Sequence, residues 1–246
     1  TEKKIENKLE EFRKKSNLYL YPSFDTIAGS GPNGAIIHYK SNNLTNRKVE
    51  KKDILLIDSG GQYKWGTTDV TRTTCNGKIS SKIKNNFTRV LKGHISVATC
   101  NLKKYYNGHL IDKLARKSLN QVGLNYSHGT GHGVGFFLNV HEGPQALSKN
   151  NRITLREGMI LSNEPGYYLK NNYGIRIENL IFINKIKDNL KFENLTLAPI
   201  DIDMVNFKML NSKERKYLFD YHLNVYNKIS SLLNKSEKKW LAKLIK

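Results

Sequence analysis

Three features of the sequence predict an α+β fold of mixed sheets flanked by helices. The run Asp53-Ile54-Leu55-Leu56-Ile57-Asp58 is a short apolar segment bounded by acids, the pattern of a strand buried on both faces. Segments with helical apolar spacing lie at the start, middle and end of the chain, separated by turn-rich stretches with short apolar runs. No internal repeat or low-complexity linker interrupts the 246 residues, so one domain over 1–246 is expected.

In chain order, residues 1–16 predict an amphipathic helix with Ile5, Leu9 and Phe12 on one face. From Tyr19 to about Gly77 the pattern turns to strands and glycine-rich turns. Two helices follow, Ser80–Thr99 and His109–Val122, split by Tyr106-Asn107-Gly108. Residues 126–200 return to strands and turns. Ser212 is the expected cap of a long helix carrying Leu218, Tyr221, Val225, Ile229 and Leu232 along one stripe. A last short helix from near Ser236 is expected to bury Trp240, Leu241 and Leu244.

The formal net charge of +20 invites a nucleic-acid or acidic-membrane function. Its make-up argues otherwise: 32 of the 41 basic residues are lysine, whereas phosphate readers lean on arginine for bidentate contacts. The longest basic run is only Arg13-Lys14-Lys15, so a solvated lysine surface is expected, with no specific nucleic-acid partner. No run of eighteen apolar residues is present to span a membrane. Cys75 and Cys100 lack metal-ligand spacing and are expected as reduced, mostly buried thiols. Residue 1 is Thr and no signal-like segment follows, which suits a cytoplasmic protein.

Acids and histidines are scarce, and five of them stand at strand ends or among glycines. Asp58 closes the apolar strand before Ser59-Gly60-Gly61, and Asp69 follows eleven residues later in Gly66-Thr67-Thr68-Asp69-Val70. His132 lies in His128-Gly129-Thr130-Gly131-His132-Gly133, Glu164 opens Glu164-Pro165-Gly166, and Glu178 ends Gly174-Ile175-Arg176-Ile177-Glu178. Singly, each has a structural explanation: an Asx turn, a core histidine, or the wet face of a strand where Arg176 and Glu178 alternate with Ile175 and Ile177. Jointly, four carboxylates and a histidine are the donor set of a dinuclear site for hard divalent ions. A hairpin across Gly60-Gly61 can bring Asp58 and Asp69 side by side. The His128…His132 spacing mimics the zinc-peptidase helix pair, but Gly129, Gly131, Gly133 and Gly135 exclude that helix.

The ordered set DSGGQY…GTTDVTRT, HGTGHGVG…LNVHEGP, NEPGYY and GIRIEN resembles the pita-bread metallopeptidases, and within them the eukaryotic-type aminopeptidase P (Xaa-Pro aminopeptidase). Gly34-Ala35-Ile36-Ile37-His38-Tyr39 and Leu195-Thr196-Leu197-Ala198-Pro199-Ile200 match as well, so the resemblance covers nearly the whole chain. It implies the pita-bread fold, a curved, mostly antiparallel sheet flanked by helices. It implies Asp58 as terminal ligand of one metal, Asp69 and Glu178 as bridging ligands, and His132 and Glu164 on the second metal. Manganese is the implied metal, with zinc or cobalt as alternatives. Glu164 is the implied proton acceptor, His141 the stabiliser of the oxyanion, and His38, His132 and His141 the substrate contacts. His128 and Arg176 are implied to line the same pocket. The implied substrates are peptides with proline in second position, and a homodimer through the Ser212 helix and the Trp240 segment is implied.

Trp65 departs from the pattern, standing where relatives commonly have an acid; metal binding is expected to survive it. Relatives also carry one or two smaller domains ahead of this one, so the chain is expected to be the C-terminal catalytic part of a longer protein. Prolidase, methionine aminopeptidase and creatinase share the scaffold and are the enzymatic alternatives. Non-catalytic peptide-binding relatives have lost ligand positions, whereas all five are filled here.

Overall fold

A computed structural model describes residues 1–243. Helix α1 (Glu2–Arg13) precedes strands β1 (Tyr19–Pro22), β2 (Ile27–Ser30), β3 (Ile54–Ser59), β4 (Gly61–Tyr63), β5 (Gly66–Thr67) and β6 (Val70–Cys75). Helices α2 (Ser81–Ala98) and α3 (Gly108–Asn120) follow, then strands β7 (Gly131–His132), β8 (Ala146–Leu147), β9 (Ile160–Asn163), β10 (Gly166–Leu169), β11 (Tyr173–Arg176), β12 (Asn179–Ile186) and β13 (Asn189–Asn194). Helices α4 (Ser212–Ile229) and α5 (Lys235–Ala242) close the described chain. The sheets are β1-β4-β5, β2-β3-β6, β7-β8, β10-β11 and β13-β12-β9, and every pairing is antiparallel. The α+β expectation holds.

The apolar run at 54–57 becomes the central strand of its sheet. Asp58 therefore lies opposite Ile27 on one side and Thr71 on the other. Strand β11 comes against the same sheet edge through side chains: Thr73 Oγ1 accepts from Arg176 N and donates to Arg176 O, both at 3.0 Å. Glu178 N then donates to Thr71 O at 3.1 Å. On its other approach β11 packs against the turn at Gly31–Ala35, which needs a bare backbone at Gly174, because a Cβ there would stand 1.7 Å from Gly34 O.

Helices α2 and α3 cover the opposite side. Phe87, Val90 and Leu91 of α2 and Leu119 of α3 are fully buried together with Ile175 and Ile177. A second group joins Ile111 and Ala115 to Leu147, Leu161, Ile181 and Ile183. Burying each such large side chain contributes about 1.5–3 kcal/mol, which holds the sheets in place beneath the polar site. The expected break at Tyr106-Asn107-Gly108 is present, and Asn107 caps α3 through Leu110 N.

Several expectations are corrected. Asn211, not Ser212, caps α4, forming a capping box with Glu214; the amide oxygen sits one residue earlier in the required extended conformation. Asn234 likewise caps α5 with Glu237. Trp240 is 56 % exposed and Leu232, in a short 3-10 turn after α4, is 81 % exposed, so neither belongs to a buried stripe. Leu241 is buried as expected, and Leu244 lies outside the described residues. In α1 the buried residues are the acids Glu2 and Glu6, while Ile5 and Leu9 are half-buried and Phe12 exposed. Glu2 accepts from Ser30 N, Asn33 Nδ2, Tyr39 OH and Arg47 N, so α1 is attached by hydrogen bonds to a carboxylate and not by its apolar face. Both cysteines are free and only half-buried.

Candidate metal centre

All nine residues singled out by sequence, His38, Asp58, Asp69, His128, His132, His141, Glu164, Arg176 and Glu178, line one cavity of about 560 Å³. Its floor is buried: Asp58, Asp69, Arg176 and Glu178 are nearly excluded from solvent. Its mouth holds the exposed His38, His141, Asp25 and Lys40.

Each floor residue is delivered by a different strand or strand end. Asp58 comes from β3, Asp69 from the turn between β5 and β6, His132 from β7, Glu164 from the end of β9 and Glu178 from the link between β11 and β12. Strand β7 lies against β9 because residue 131 is glycine; a Cβ there would stand 1.9 Å from Ser162 O. Ser162 Oγ then accepts from His132 N and donates to Glu164 Oε1, both at 3.0 Å, aligning the two side chains.

His132 Nδ1 faces Gly133 O at 2.9 Å and so carries the hydrogen. Its Nε2 is turned to Asp69 Oδ2 at 3.4 Å and Glu164 Oε1 at 3.3 Å. Ligand atoms of Asp69, His132 and Glu178 all lie within 4.8 Å of one another. Asp58 Oδ1 is buried with no hydrogen-bond partner. Burial raises the pKa of Asp69 and Glu178 well above the carboxylate range, and the neighbouring carboxylates push the same way. Burial raises Glu164 too, against the pull of His132 and Arg176. Lone pairs converging in a dry site, with one buried oxygen unpartnered, fit divalent cations with oxygen-rich ligation.

Arg176 and Glu178 are buried and line the cavity, as their joint reading expects, and the single-residue alternative of a wet strand face does not apply. The Arg176 guanidinium donates to Asp58 Oδ2 at 2.7 Å, Tyr168 OH at 2.7 Å and Thr71 Oγ1 at 3.1 Å. Thr71 Oγ1 passes its own hydrogen to Glu178 Oε2 at 2.7 Å. His128 uses both ring nitrogens within the protein, donating from Nδ1 to Gly129 O and accepting at Nε2 from Tyr168 OH at 2.8 Å. Burial first, and Arg176 next, lower its pKa to about 4, so the ring is neutral. Burial and then the nearby His132 ring lower His141, whose ring lies 4.0 Å from that of His132.

Tyr168, Thr71 and Ser162, which hydrogen-bond to the cavity residues, are positions that the sequence does not single out. Tyr168 was within reach, inside the Glu164-Pro165-Gly166-Tyr167-Tyr168 motif, but a tyrosine gives no sign of its partners. Trp65 lies at the turn between β4 and β5, is 79 % exposed, and does not line the cavity.

The chain belongs to metallopeptidase family M24, whose model matches residues 1–185. The model for the C-terminal region of the same family matches residues 188–246. Among its relatives, a probable Xaa-Pro aminopeptidase P of Laccaria bicolor is 46 % identical over 238 residues, covering 92 % of this chain and 37 % of that protein. The X-prolyl aminopeptidase of Caenorhabditis elegans, a cytosolic enzyme with a di-nuclear active site, superposes with a TM-score of 0.93 at 37 % identity. That match covers 100 % of this chain and 42 % of the worm chain. A prolidase of Thermococcus sibiricus matches with a TM-score of 0.70 at 30 % identity, over 81 % of this chain and 52 % of its own. The chain thus spans about two-fifths of the length of its aminopeptidase relatives. No described helix is long and apolar enough to cross a membrane.

Proposed function

We propose that residues 1–246 are the catalytic domain of a dinuclear metal-dependent aminopeptidase that hydrolyses the bond between an N-terminal residue and a following proline. The observation that carries it is the convergence of Asp69, His132 and Glu178, with Asp58 Oδ1 unpartnered beside them, at the floor of a cavity open at one end. The 46 % identity to a probable Xaa-Pro aminopeptidase P over 92 % of this chain, with the match to the worm X-prolyl aminopeptidase over the whole chain, supports aminopeptidase P over prolidase.

In this reading Asp58, as a terminal ligand, would hold one ion, His132 and Glu164 would hold the second, and Asp69 and Glu178 would be shared between the two. Manganese suits this oxygen-rich set, with zinc or cobalt as alternatives. Two such ions, when bound, would supply Lewis acidity and activate water for attack. Glu164, buried and oriented by Ser162 Oγ, accepts the proton released as water attacks the scissile carbonyl. His141, at the mouth beside His132, donates a hydrogen bond to the developing oxyanion. His38 and His141 frame the proline ring, whose nitrogen lacks the hydrogen that other peptidases use for positioning. Arg176 and Tyr168 fix the orientation of Asp58, and His128 holds Tyr168 in turn.

We also propose a homodimer through α4 and α5, supported by the exposed Phe219, Leu223, Leu232 and Trp240, and a cytoplasmic location like that of the worm relative. The deciding experiment pairs metal analysis of the chain with cleavage of a panel of Xaa-Pro, Xaa-Ala and Met-Ala peptides in manganese. Xaa-Pro cleavage with two ions bound supports the proposal. Preference for Met-Ala peptides, or for Xaa-Pro dipeptides alone, overturns the specificity.

A further inference from the structure

Arg72 lies one residue beyond Thr71 on β6, with its side chain on the other side of the strand from the cavity. Among the described residues its guanidinium meets only neutral acceptors. Nη1 donates to the backbone carbonyls of Thr71 and Glu178, Nε to Pro199 O, and Nη2 to Ala198 O, Asn179 Oδ1 and Tyr221 OH, all at 2.5–3.0 Å. Tyr221, on α4, also donates to Ala198 O at 2.6 Å. One planar fork thus joins the backbone of Glu178 to the Leu195–Ile200 block and to the C-terminal helix.

Glu178 sits in a two-residue link between β11 and β12, with no ladder of its own to fix it. Three of its groups are held by consecutive residues of β6. Thr71 O accepts from Glu178 N, Thr71 Oγ1 donates to the carboxylate, and Arg72 donates to Glu178 O. The Glu178 carboxylate belongs to a close cluster with Asp69 and His132, whose ligand atoms all lie within 4.8 Å of one another, so its placement sets the geometry of the cluster. We infer that Arg72 is a positioning residue for Glu178, and that the Leu195–Ile200 block with Tyr221 is the anchor against which it works. The inference rests on the proposed role of Glu178 as a metal ligand. It assigns to the C-terminal region, matched by its own family model, a part in holding the metal centre.

The test is a double-variant cycle read by calorimetric titration of manganese(II) alone into the metal-free 246-residue chain, with near-UV circular dichroism checking the fold. Arg72→Lys keeps the charge but cannot span these acceptors, and is expected to weaken manganese binding ten-fold or more. In a Glu178→Gln background the same substitution is expected to change affinity less than two-fold, because the ligand it positions is already lost. Where Arg72→Lys does not fold, Tyr221→Phe carries the cycle, with a two- to five-fold loss expected only when Glu178 is present. Unchanged affinity in Arg72→Lys, or equal losses in both backgrounds, overturns the inference while leaving Glu178 as a ligand. Wild-type manganese binding by Glu178→Gln removes the ligand role itself, and the inference with it.

Discussion

Arg176 Nη2 lies 2.7 Å from Asp58 Oδ2, a contact between residues 118 positions apart that are both nearly excluded from solvent. The pair leaves the other oxygen of Asp58 buried and without a partner, and in the proposed role that oxygen is the one left to a cation. Tyr168 and Thr71 complete the fork, and Arg176 touches three of the polar groups that shape the site. Arg176→Lys retains a point charge but not this geometry. A loss of about 10–100-fold in kcat/KM on an Xaa-Pro peptide is expected, the range typical of partners that orient metal ligands. Steady-state kinetics at saturating manganese checks it, and wild-type kcat/KM in the variant would remove Arg176 from the positioning network.

Asp69→Ala and Glu178→Ala are expected to abolish peptidase activity and reduce bound metal below two ions per chain. Each removes a carboxylate of the cluster formed with His132, to which the proposed function gives a bridging role. Elemental analysis after gel filtration measures the metal content directly. Two ions and full activity in either variant would sink the assignment.

Tyr168→Phe keeps the ring and loses the hydroxyl that donates to His128 and accepts from Arg176. Folding is expected to be nearly unaffected, with kcat falling by about ten-fold as the alignment of Arg176 and Asp58 loosens. Comparison of kcat and KM on one substrate decides it; a change in KM alone would place Tyr168 in substrate binding instead.

His94 gives the chain an acid-sensitive point outside the cavity. It is fully buried on α2, with Nδ1 facing Asn163 O at 3.1 Å and no hydrogen-bond partner at Nε2. Burial lowers its pKa from 6.5 to about 3, with Arg72 adding to the shift. The unfolded chain therefore binds a proton that the folded chain refuses. The stabilising contribution is complete above pH 6.5 and is lost progressively as the pH falls toward about 3. One titrating proton changes stability by up to about 1.4 kcal/mol per pH unit. His94→Gln, which keeps a donor for Asn163 O, is expected to flatten the slope between pH 6 and pH 4 by about that amount. Urea unfolding at a series of pH values measures it, and identical slopes would refute it.

The proposed dimer predicts that Trp240→Glu with Leu232→Asp yields a monomer in sedimentation while the wild type sediments as a dimer. Both side chains are exposed, so neither change should unfold the chain. A wild-type monomer at micromolar concentration counts against the interface.

Much of the fold was legible because its signals are local. The run from Ile54 to Ile57 can satisfy its apolar groups only as a buried strand, and Asn107-Gly108 can only break and cap a helix. The misreadings are equally physical. The extended residue that caps a helix is decided by backbone dihedrals, and Asn211 competes with Ser212 for that place on nearly equal terms. In α1 the periodic apolar residues suggested an apolar attachment. The burial of Glu2 depends on donors from Ser30, Asn33, Tyr39 and Arg47, which no spacing within the helix reveals.

The site divides in the same way. Types and order of residues pointed to the proposed donor set, Asp58, Asp69, His132, Glu164 and Glu178, because hard cations need oxygen-rich ligation and the motifs place such residues at glycine-bordered strand ends. Tertiary structure alone decided how those groups are held. It made Arg176 the buried partner of Asp58, and gave Thr71 to Glu178. It turned His128 inward onto Tyr168 and tied Glu178 through Arg72 to the C-terminal block. Each of these contacts joins distant segments through hydrogen-bond geometry, whose energy depends on ångström-scale placement and leaves no periodic mark in the chain.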